Sequence, residues 1–192
     1  MTYEIHRYPA DLIDVLELAG ERVVIRPVLP QDQDLTAAFF GDLSPRARQQ
    51  RFLSAMRSLP PGLLERLTQV DYTSHLALVA EVFRDGHERV IAEARYALRA
   101  DRSEAEFAIA VAEPWQGLGL ARRLLETLAR RAAQAGIRCL VGETLDSNER
   151  MLKLAQRAGF SITRSLDTRG LMRLQKTLAP ALAALPPTAA AA

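Results

Sequence analysis

The sequence predicts a mixed α/β protein whose sheet is mostly antiparallel and contains one central parallel pair of strands. Three strand-like runs, 75–83, 89–98 and 104–112, follow one another at hairpin spacing, with a strong turn signal at Asp85-Gly86. A glycine turn and an amphipathic helix follow, and then an apolar run over 137–144. Because a helical crossover returns the chain in the same direction, these last two strands are predicted to be parallel.

Before the three strand-like runs, the chain is predicted to form a strand followed by short helices. Residues 21–28 are rich in β-branched side chains and end at prolines, as is typical of a strand. Residues 31–42 fit a helix with Asp32 as its cap. Ser44-Pro45 opens a second helix, which ends at Pro60-Pro61-Gly62, and a third short helical segment follows.

The remaining segments complete one domain. A helix begins near Asn148 and stops at Gly159, and a final hairpin spans 160–178. We therefore predict three regions: an N-terminal arm, extended or a short strand, at 1–20, one domain at 21–178, and a disordered tail rich in Ala and Pro at 179–192.

The composition argues against several classes of function. The 192 residues, 48% of them hydrophobic, suffice for one sizeable core. A net charge of +2 offers no case for a nucleic-acid or membrane partner. The single cysteine, Cys139, excludes an internal disulfide and a cysteine-cluster metal site. Since neither a signal peptide nor a long apolar run is visible, we expect a cytoplasmic protein; the sequence does not predict its oligomeric state.

The most informative feature is the turn Gln116-Gly117-Leu118-Gly119-Leu120-Ala121, which joins a strand to a helix. Glycines there allow backbone N–H groups to approach a ligand, and the positive end of a helix dipole suits a phosphate. Spacing alone leaves anion binding and an ordinary connection equally open. The dinucleotide fingerprint is incomplete because Arg122 replaces its third glycine, and the lysine-bearing phosphate loop is absent.

This turn resembles the Gln/Arg-x-x-Gly-x-Gly/Ala signature of the GCN5-related N-acetyltransferases (GNAT), through Gln116, Gly119 and Ala121. Its setting adds specificity, because it follows a strand, opens an amphipathic helix and precedes a parallel strand. The later segment Asn148-x-x-Met151-x-x-Leu154, which ends in Gly159-Phe160, is similar to a second family motif. The order of elements also resembles the family along 21–178.

Other segments resemble the acetyltransferase domain of bacterial Pat-type protein lysine acetyltransferases. They are Tyr8-Pro9, residues 24–28, Leu43-Ser44-Pro45-x-x-Arg48-x-x-Arg51-Phe52 and the run that begins Asp71-Tyr72. In that group the domain is often fused to a regulatory domain, and none fits in this chain. The resemblance implies the GNAT fold, whose parallel strands splay to hold acetyl-CoA, and an acyltransferase that uses acetyl-CoA and no metal.

The resemblance also implies a set of cofactor contacts. Backbone groups of 109–111 would bind the pantetheine, and N–H groups of 116–121 would hold the pyrophosphate. Asn148 would contact the cofactor arm, unless its side chain only caps the helix. Arg122 and Arg123 would add charge near the phosphates or form a solvated face. The predicted cofactor-binding residues are Ile109, Ala110, Val111, Gln116, Gly117, Leu118, Gly119, Leu120, Ala121, Arg122 and Asn148.

Acetylation of an amine requires a base, because an ammonium group must lose a proton before it can attack a thioester. Glu106 is the predicted catalytic base. It is an acidic residue within an otherwise apolar strand, and family members often have a glutamate at this position. We expect partial burial beside Phe107 and Ile109 to strengthen it as a base. The competing candidates are Glu81, Glu93 and His75.

The general acid and the acceptor are less well specified. Ala155 stands where many family members carry a tyrosine that acts as the general acid, and Tyr96 is another candidate for this role. The sequence predicts acetyl-CoA-dependent N-acetylation of a protein lysine ε-amine. A small-molecule amine N-acetyltransferase and a non-catalytic acetyl-CoA-binding sensor or partner subunit are the alternatives.

Overall fold

Eight strands form one sheet in the part of the chain described by the computed structural model, residues 7–54, 56, 59–99, 104–166 and 168–179. The strands are β1 (Asp14–Leu18), β2 (Glu21–Pro27), β3 (His75–Arg84), β4 (His87–Leu98), β5 (Glu104–Val111), β6 (Cys139–Leu145), β7 (Ser161–Arg164) and β8 (Leu171–Thr177). Their order is β1-β2-β3-β4-β5-β6-β8-β7, and only β5 and β6 pair in parallel. The predicted mixed sheet with a central parallel pair is confirmed.

Helices cover both faces of this sheet. They are α1 (Gln33–Asp42), α2 (Pro45–Phe52), α3 (Pro61–Thr68), α4 (Leu120–Gln134) and α5 (Glu149–Arg157). Along β3, Leu76 and Leu78 pack in one core cluster with residues of α4, whereas Ala77 and Val79 pack in a second cluster with residues of α1 and α3. Because both faces of β3 are covered, its sequence is a continuous apolar run and does not alternate with polar residues.

The N-terminal segment contributes to the sheet. Leu12 lies in a short 3-10 turn and is buried in the main core, and β1 then pairs with β2 at the edge of the sheet. The predicted arm therefore contains the edge strand. Residues 1–6 of the arm, most of the predicted tail (180–192) and residues 100–103 of the predicted loop after β4 lie outside the described residues.

The helix starts confirm one predicted cap and contradict another. The Ser44 hydroxyl accepts the Ala47 N–H at 3.1 Å, as its position before Pro45 predicts. The Asp32 carboxylate does not cap α1, because it accepts hydrogen bonds from the Arg26 guanidinium at 2.6 Å and from the Leu29 N–H at 2.7 Å. Helix α2 ends at Phe52, so the predicted stop at Pro60-Pro61-Gly62 is wrong. Pro61 instead begins α3, because its missing N–H costs nothing in the first turn.

The parallel pairing between β5 and β6 is short. Only Glu104, Ala105 and Glu106 of β5 have partners in β6, and the last pair is Glu106 with Val141. Beyond this pair the two strands separate: β5 continues to Val111, still paired with β4, and β6 continues to Leu145, still paired with β8. The part of β5 after Glu106 is therefore unpaired on its β6 side alone. A cleft opens in the gap between these two separated strand ends.

Candidate active site

A cleft of about 1240 Å³ begins where β5 and β6 stop pairing. Its walls are α2, the unpaired part of β5, the glycine turn before α4, and α5. Ten of the sequence-predicted site residues line it: Glu106, Ile109, Ala110, Val111, Gln116, Gly117, Gly119, Ala121, Arg122 and Asn148. The fold thus brings together residues that are up to 42 positions apart in the chain, from 106 to 148.

The glycine turn presents backbone N–H groups at the start of α4. Gly117 and Gly119 have φ angles of +83° and +89°, which non-glycine residues rarely adopt. No acceptor in the described part of the chain takes a hydrogen bond from the N–H groups of 117–119, and the first N–H groups of any helix have no partner within it. These groups and the helix dipole can hold an anion.

The two predicted leucines of this turn do not line the cleft with their side chains. Leu120 is buried in the main core, where it fixes the first turn of α4, and Leu118 is 40% exposed. Their side chains therefore cannot contribute to the cleft. Only their backbone groups are left for the predicted contact with a phosphate.

The unpaired part of β5 has backbone groups that point into the cleft. The Ala112 N–H donates to the Ile91 carbonyl of β4 at 2.9 Å, and in an antiparallel ladder every second residue then faces β4. By this alternation Ile109 and Val111 turn their backbone groups away from β4 and toward the cleft. Ala110 turns its backbone groups toward β4, so the predicted backbone contact from Ala110 is wrong and its small side chain lines the cleft instead.

Gln116 ties the turn to both neighbouring walls. Its side-chain amide donates to the Val111 carbonyl at 2.8 Å, and its side-chain oxygen accepts from the Arg150 guanidinium of α5. The signature glutamine therefore holds the end of β5 and the start of α5 in place beside the glycine turn. It also occupies the Val111 carbonyl, which leaves the Val111 N–H and the Ile109 groups for a ligand.

The two arginines after the turn have separate surroundings. Arg122 lines the cleft, where it forms an exposed ion pair with Glu126 at 2.7 Å. Arg123 points to the edge of the sheet and pairs with Asp14 of β1 at 2.7 Å. Arg123 is not among the residues that line the cleft, and its exposed pairing fits the solvated face that the sequence left open as one alternative.

Asn148 is both a helix cap and a cleft residue. Its side-chain oxygen accepts the Met151 N–H at 3.2 Å, which is the local cap that the sequence left open. Its side-chain amide donates to the Thr144 hydroxyl of β6 at 3.2 Å. The cap orients Asn148 at the cleft wall and fixes the end of β6 against the start of α5.

Glu106 lies in the cleft at the point where the two strands separate. Its side chain is exposed, so the expected partial burial is wrong. The reason is that β5 residues alternate between faces, and the even-numbered face toward α2 is open here. A role for Glu106 as a base is thus supported by its position rather than by desolvation.

The three competing bases lie outside the cleft. Glu81 and Glu93 are buried in ion pairs, Glu81 with Arg26 at 2.8 Å and Glu93 with Arg51 at 3.2 Å. Burial and the nearby Arg95 lower the pKa of His75 to about 4, so its ring is neutral at pH 7. None of the three lines the cleft, and Glu106 is the one predicted base that does.

Neither Tyr96, the candidate for the general acid, nor Ala155, the residue at the usual position of that acid, lines the cleft. Tyr96 is buried, where its hydroxyl donates to the Thr73 carbonyl at 3.1 Å, and burial raises its pKa to about 12. Ala155 is completely buried in the main core. Tyr96 therefore does not fit the role of the acid, because its side chain is buried in the main core cluster and does not line the cleft.

Comparison with known proteins agrees with this geometry. A model of the acetyltransferase (GNAT) family matches residues 43–160. The chain belongs to the GNAT family. The relative named Acetyltransferase PA5475 from Pseudomonas aeruginosa is 34% identical over 148 residues, which cover 77% of this chain and 80% of that protein.

Two solved structures extend the comparison. The GNAT domain of S. lividans PAT matches with a TM-score of 0.80 and 30% identity, over 90% of this chain and 100% of that domain. The putative acetyltransferase yncA from Salmonella typhimurium, solved with its cofactor acetyl-CoA, matches with a TM-score of 0.65 and 20% identity, over 82% of this chain and 94% of that chain. The second match shows a shared fold. The chain is thus a GNAT acetyltransferase that is similar to a Pat-type domain.

Sequence reasoning missed two walls of this GNAT cleft. One is α2, which contributes Arg46, Gln50 and Arg51, and the other is the basic side of α5, Arg150, Lys153 and Arg157. The spacing of the α5 residues, three and seven positions after Arg150, places them on one helix face, which was a usable signal. For α2 no local signal exists, because its position over β5 depends on tertiary contacts.

Within the described ranges, no group of three or more His, Cys, Asp or Glu side chains is arranged to hold a metal ion. None of the helices that the structure describes combines the length and the apolar character needed to cross a membrane.

Proposed function

We propose that this GNAT acetyltransferase transfers the acetyl group of acetyl-CoA to the ε-amine of a lysine in a protein. The observation that carries the proposal is the single cleft that contains both an anion-binding turn and the carboxylate of Glu106 at the divergence of β5 and β6. The similarity to the S. lividans PAT domain supports the choice of a protein acceptor. The neighbour solved with acetyl-CoA supports the choice of donor.

The residues of the cleft fit an acyl-CoA. The open N–H groups of 117–119 suit a pyrophosphate, and the basic side chains of Arg150, Lys153 and Arg157 suit further phosphate. The backbone groups of Ile109 and Val111 continue this surface along β5 as polar partners for amide groups. Bound acetyl-CoA would supply a thioester carbonyl; the carbon–nitrogen bond to the acceptor forms as the carbon–sulfur bond breaks.

In this mechanism Glu106 prepares the acceptor. Its carboxylate takes a proton from the lysine ammonium, through a water, and leaves a neutral amine as nucleophile. The exposed position of Glu106 allows the proton to pass on to solvent after transfer. The thiolate of coenzyme A is the leaving group, and because its thiol is acidic it needs no strong proton donor, so the proposal assigns no general acid.

The decisive experiment compares acceptors. Purified protein is incubated with radiolabelled acetyl-CoA and either candidate protein substrates such as metabolic synthetases or a panel of small amines, and acetyl-CoA binding is measured by calorimetry. We expect label on lysine residues of a protein acceptor. Label only on small amines would replace the proposal with a small-molecule acetyltransferase. Tight binding without any transfer would indicate a sensor. A cytoplasmic location stays a prediction from the sequence.

A further inference from the structure

One wall of the cleft, α2, is held in place in large part by polar contacts. None of its eight residues is buried, although it lies over β5 at the open side of the cleft. Ala47 and Phe52 pack partly against the second core cluster, and the Arg48 guanidinium donates to the Gly41 carbonyl of α1 at 2.7 Å. Because a helix without a fully buried apolar face gains little from hydrophobic packing, polar side-chain contacts contribute much of its attachment.

Arg51 makes the contacts that join α2 to the sheet. Its guanidinium pairs with Glu93 of β4 at 3.2 Å, and the guanidinium carbon lies 5.7 and 4.9 Å from the ring centres of Phe40 and Phe52. The Arg51 side chain is only 9% exposed even though it borders the cleft. It thus occupies the space between α2 and the sheet.

Glu93 is the centre of a buried network. It is 1% exposed and accepts hydrogen bonds from both Arg51 and Arg95. Burial raises the pKa of Glu93, but the two guanidiniums outweigh this and lower it, so the carboxylate stays charged. Arg95 in turn donates to the Leu67 carbonyl of α3 at 2.7 Å and contacts the His75 ring at 3.1 Å.

The network lies beside the part of β5 that forms the cleft. Glu93 of β4 is the partner of Ala110 of β5, and cross-strand partners point to the same face. Glu106 lies on this face too, four residues earlier on β5. The ion pair between Arg51 and Glu93 therefore sets the separation between α2 and the strand that carries Glu106.

We propose that Arg51 is a positioning residue that acts through Glu93 to hold α2 opposite Glu106, so that the acceptor enters a cleft of fixed width. The catalytic part of this proposal rests on the proposed function. Arg51 contacts no reacting atom in this mechanism. Because Glu93 is buried, it cannot contact an acceptor, and this separates positioning from direct binding.

The test compares Arg51→Met, Arg51→Lys and Glu93→Gln with the wild type, and Gln49→Ala serves as control because Gln49 is exposed on α2 and lies outside the cleft lining. Hydrogen exchange of the α2 amides reports the tether without any need for activity. We expect Arg51→Met and Glu93→Gln to raise this exchange about tenfold, with no change in α4. Arg51→Lys keeps the charge and is expected to restore part of the protection.

Steady-state kinetics provide the second readout. Arg51→Met and Glu93→Gln are each expected to raise the KM for the acceptor about tenfold and to leave the affinity for acetyl-CoA within about twofold, and the double variant is expected to be no worse than the more severe single one. Glu93→Gln alters a buried charge and can therefore fail to fold. In that case Arg51→Met tests the proposal alone, because it leaves Glu93 paired with Arg95.

The outcomes separate the two proposals. Unchanged exchange in α2 of Arg51→Met overturns the tether, whatever the activity. A raised acceptor KM in Arg51→Met but a normal one in folded Glu93→Gln overturns it in favour of direct binding by Arg51. Absence of transfer by the wild type to any amine refutes the proposed function, while the exchange measurement still decides on the tether.

Discussion

The ring of Phe107 in β5 lies against the backbone of Gly142 in β6, at a position where a Cβ atom on Gly142 would be 2.8 Å from Phe107 Cε1. The ring is also held from another side by Phe160, with ring centres 5.0 Å apart. This contact occurs just after the last residue pair between the two strands, Glu106 with Val141. The fit between an aromatic ring and a glycine therefore shapes the base of the cleft.

Replacement of Gly142 by alanine is expected to destabilise the protein by ~1–3 kcal/mol, because the Phe107 ring, which packs against Phe160, must shift to make room for the Cβ atom. We also expect weaker acetyl-CoA binding, since the strands must separate further. Thermal unfolding and calorimetry measure the two effects. The matched control is Gly41→Ala in α1, where a Cβ meets nothing within 4 Å and alanine should stabilise the helix by about 0.5–1 kcal/mol. Equal stability of Gly142→Ala and wild type would contradict the argument.

Glu106→Gln is expected to lower kcat about 100-fold or more, because the amide cannot accept the proton of the ammonium acceptor. The affinity for acetyl-CoA should not change, since the proposed mechanism gives Glu106 a contact with the acceptor and not with the cofactor. Steady-state kinetics over a range of pH test this. Glu104→Gln is the control: Glu104 is on the same strand and pairs with Arg173 at 3.2 Å outside the cleft. Full activity of Glu106→Gln at every pH would show that another group is the base.

Gly119→Ala is expected to weaken acetyl-CoA binding about tenfold, which corresponds to the loss of one hydrogen bond to a charged group, ~1.5 kcal/mol. The φ angle of +89° is strained for alanine, so the N–H groups of the turn should rotate away from the anion. Gly136→Ala is a matched control, because Gly136 has φ +79° with nothing within 4 Å but lies at the far end of α4. Both variants should lose similar stability, and only Gly119→Ala should lose affinity. Equal affinities would argue against a phosphate at the turn.

The stability of the protein should fall as the pH decreases from 6.5 to 4, because His75 must take up a proton on unfolding. Its pKa is lowered by burial and by Arg95 to about 4 in the folded protein, from an ordinary 6.5, so the unfolded chain binds more protons in this interval. Asp71 and Glu93 face the ring and act in the opposite direction. The loss is expected to be ~2 kcal/mol after allowance for partial exposure of the ring. Denaturant titrations at several pH values measure it.

His75→Gln removes this titration and should flatten the stability profile between pH 6.5 and 4. Glutamine can still accept the hydrogen bond that Arg95 makes to the ring at 3.1 Å. An equally steep loss of stability in His75→Gln over this interval would assign the effect to other groups.

The segment from β5 to α5 could be predicted from the sequence because its signals are local. The turn residues, the change of period at Leu120, the stop at Gly136 and the cap at Asn148 each act within a few residues, and the structure has the corresponding elements. The same locality allowed the resemblance to the GNAT family to be seen before any tertiary contact was known. The glycine turn and Glu106 were therefore found as members of one cleft.

The partners of charged side chains could not be predicted in this way. Asp32 was expected to cap a helix and instead pairs with Arg26. For Arg123 the sequence left open a position near the phosphates or on a solvated face, and the fold pairs it with Asp14. A charged side chain can satisfy several local roles, and the choice among them depends on which distant charge the fold brings within reach. Periodicity reports that a face is buried, but not what covers it.

The amino-acid sequence was sufficient for the order of the elements, the central parallel pair and the glycine turn before α4, because these follow from hydrogen bonding and periodicity within short segments. The tertiary structure decided how far the parallel strands stay paired, which face of β5 is open at Glu106, and that α2 is held by the buried pair of Arg51 and Glu93. Each of these depends on the fit or the charge of residues far apart in the chain, and only the folded packing brings such residues together.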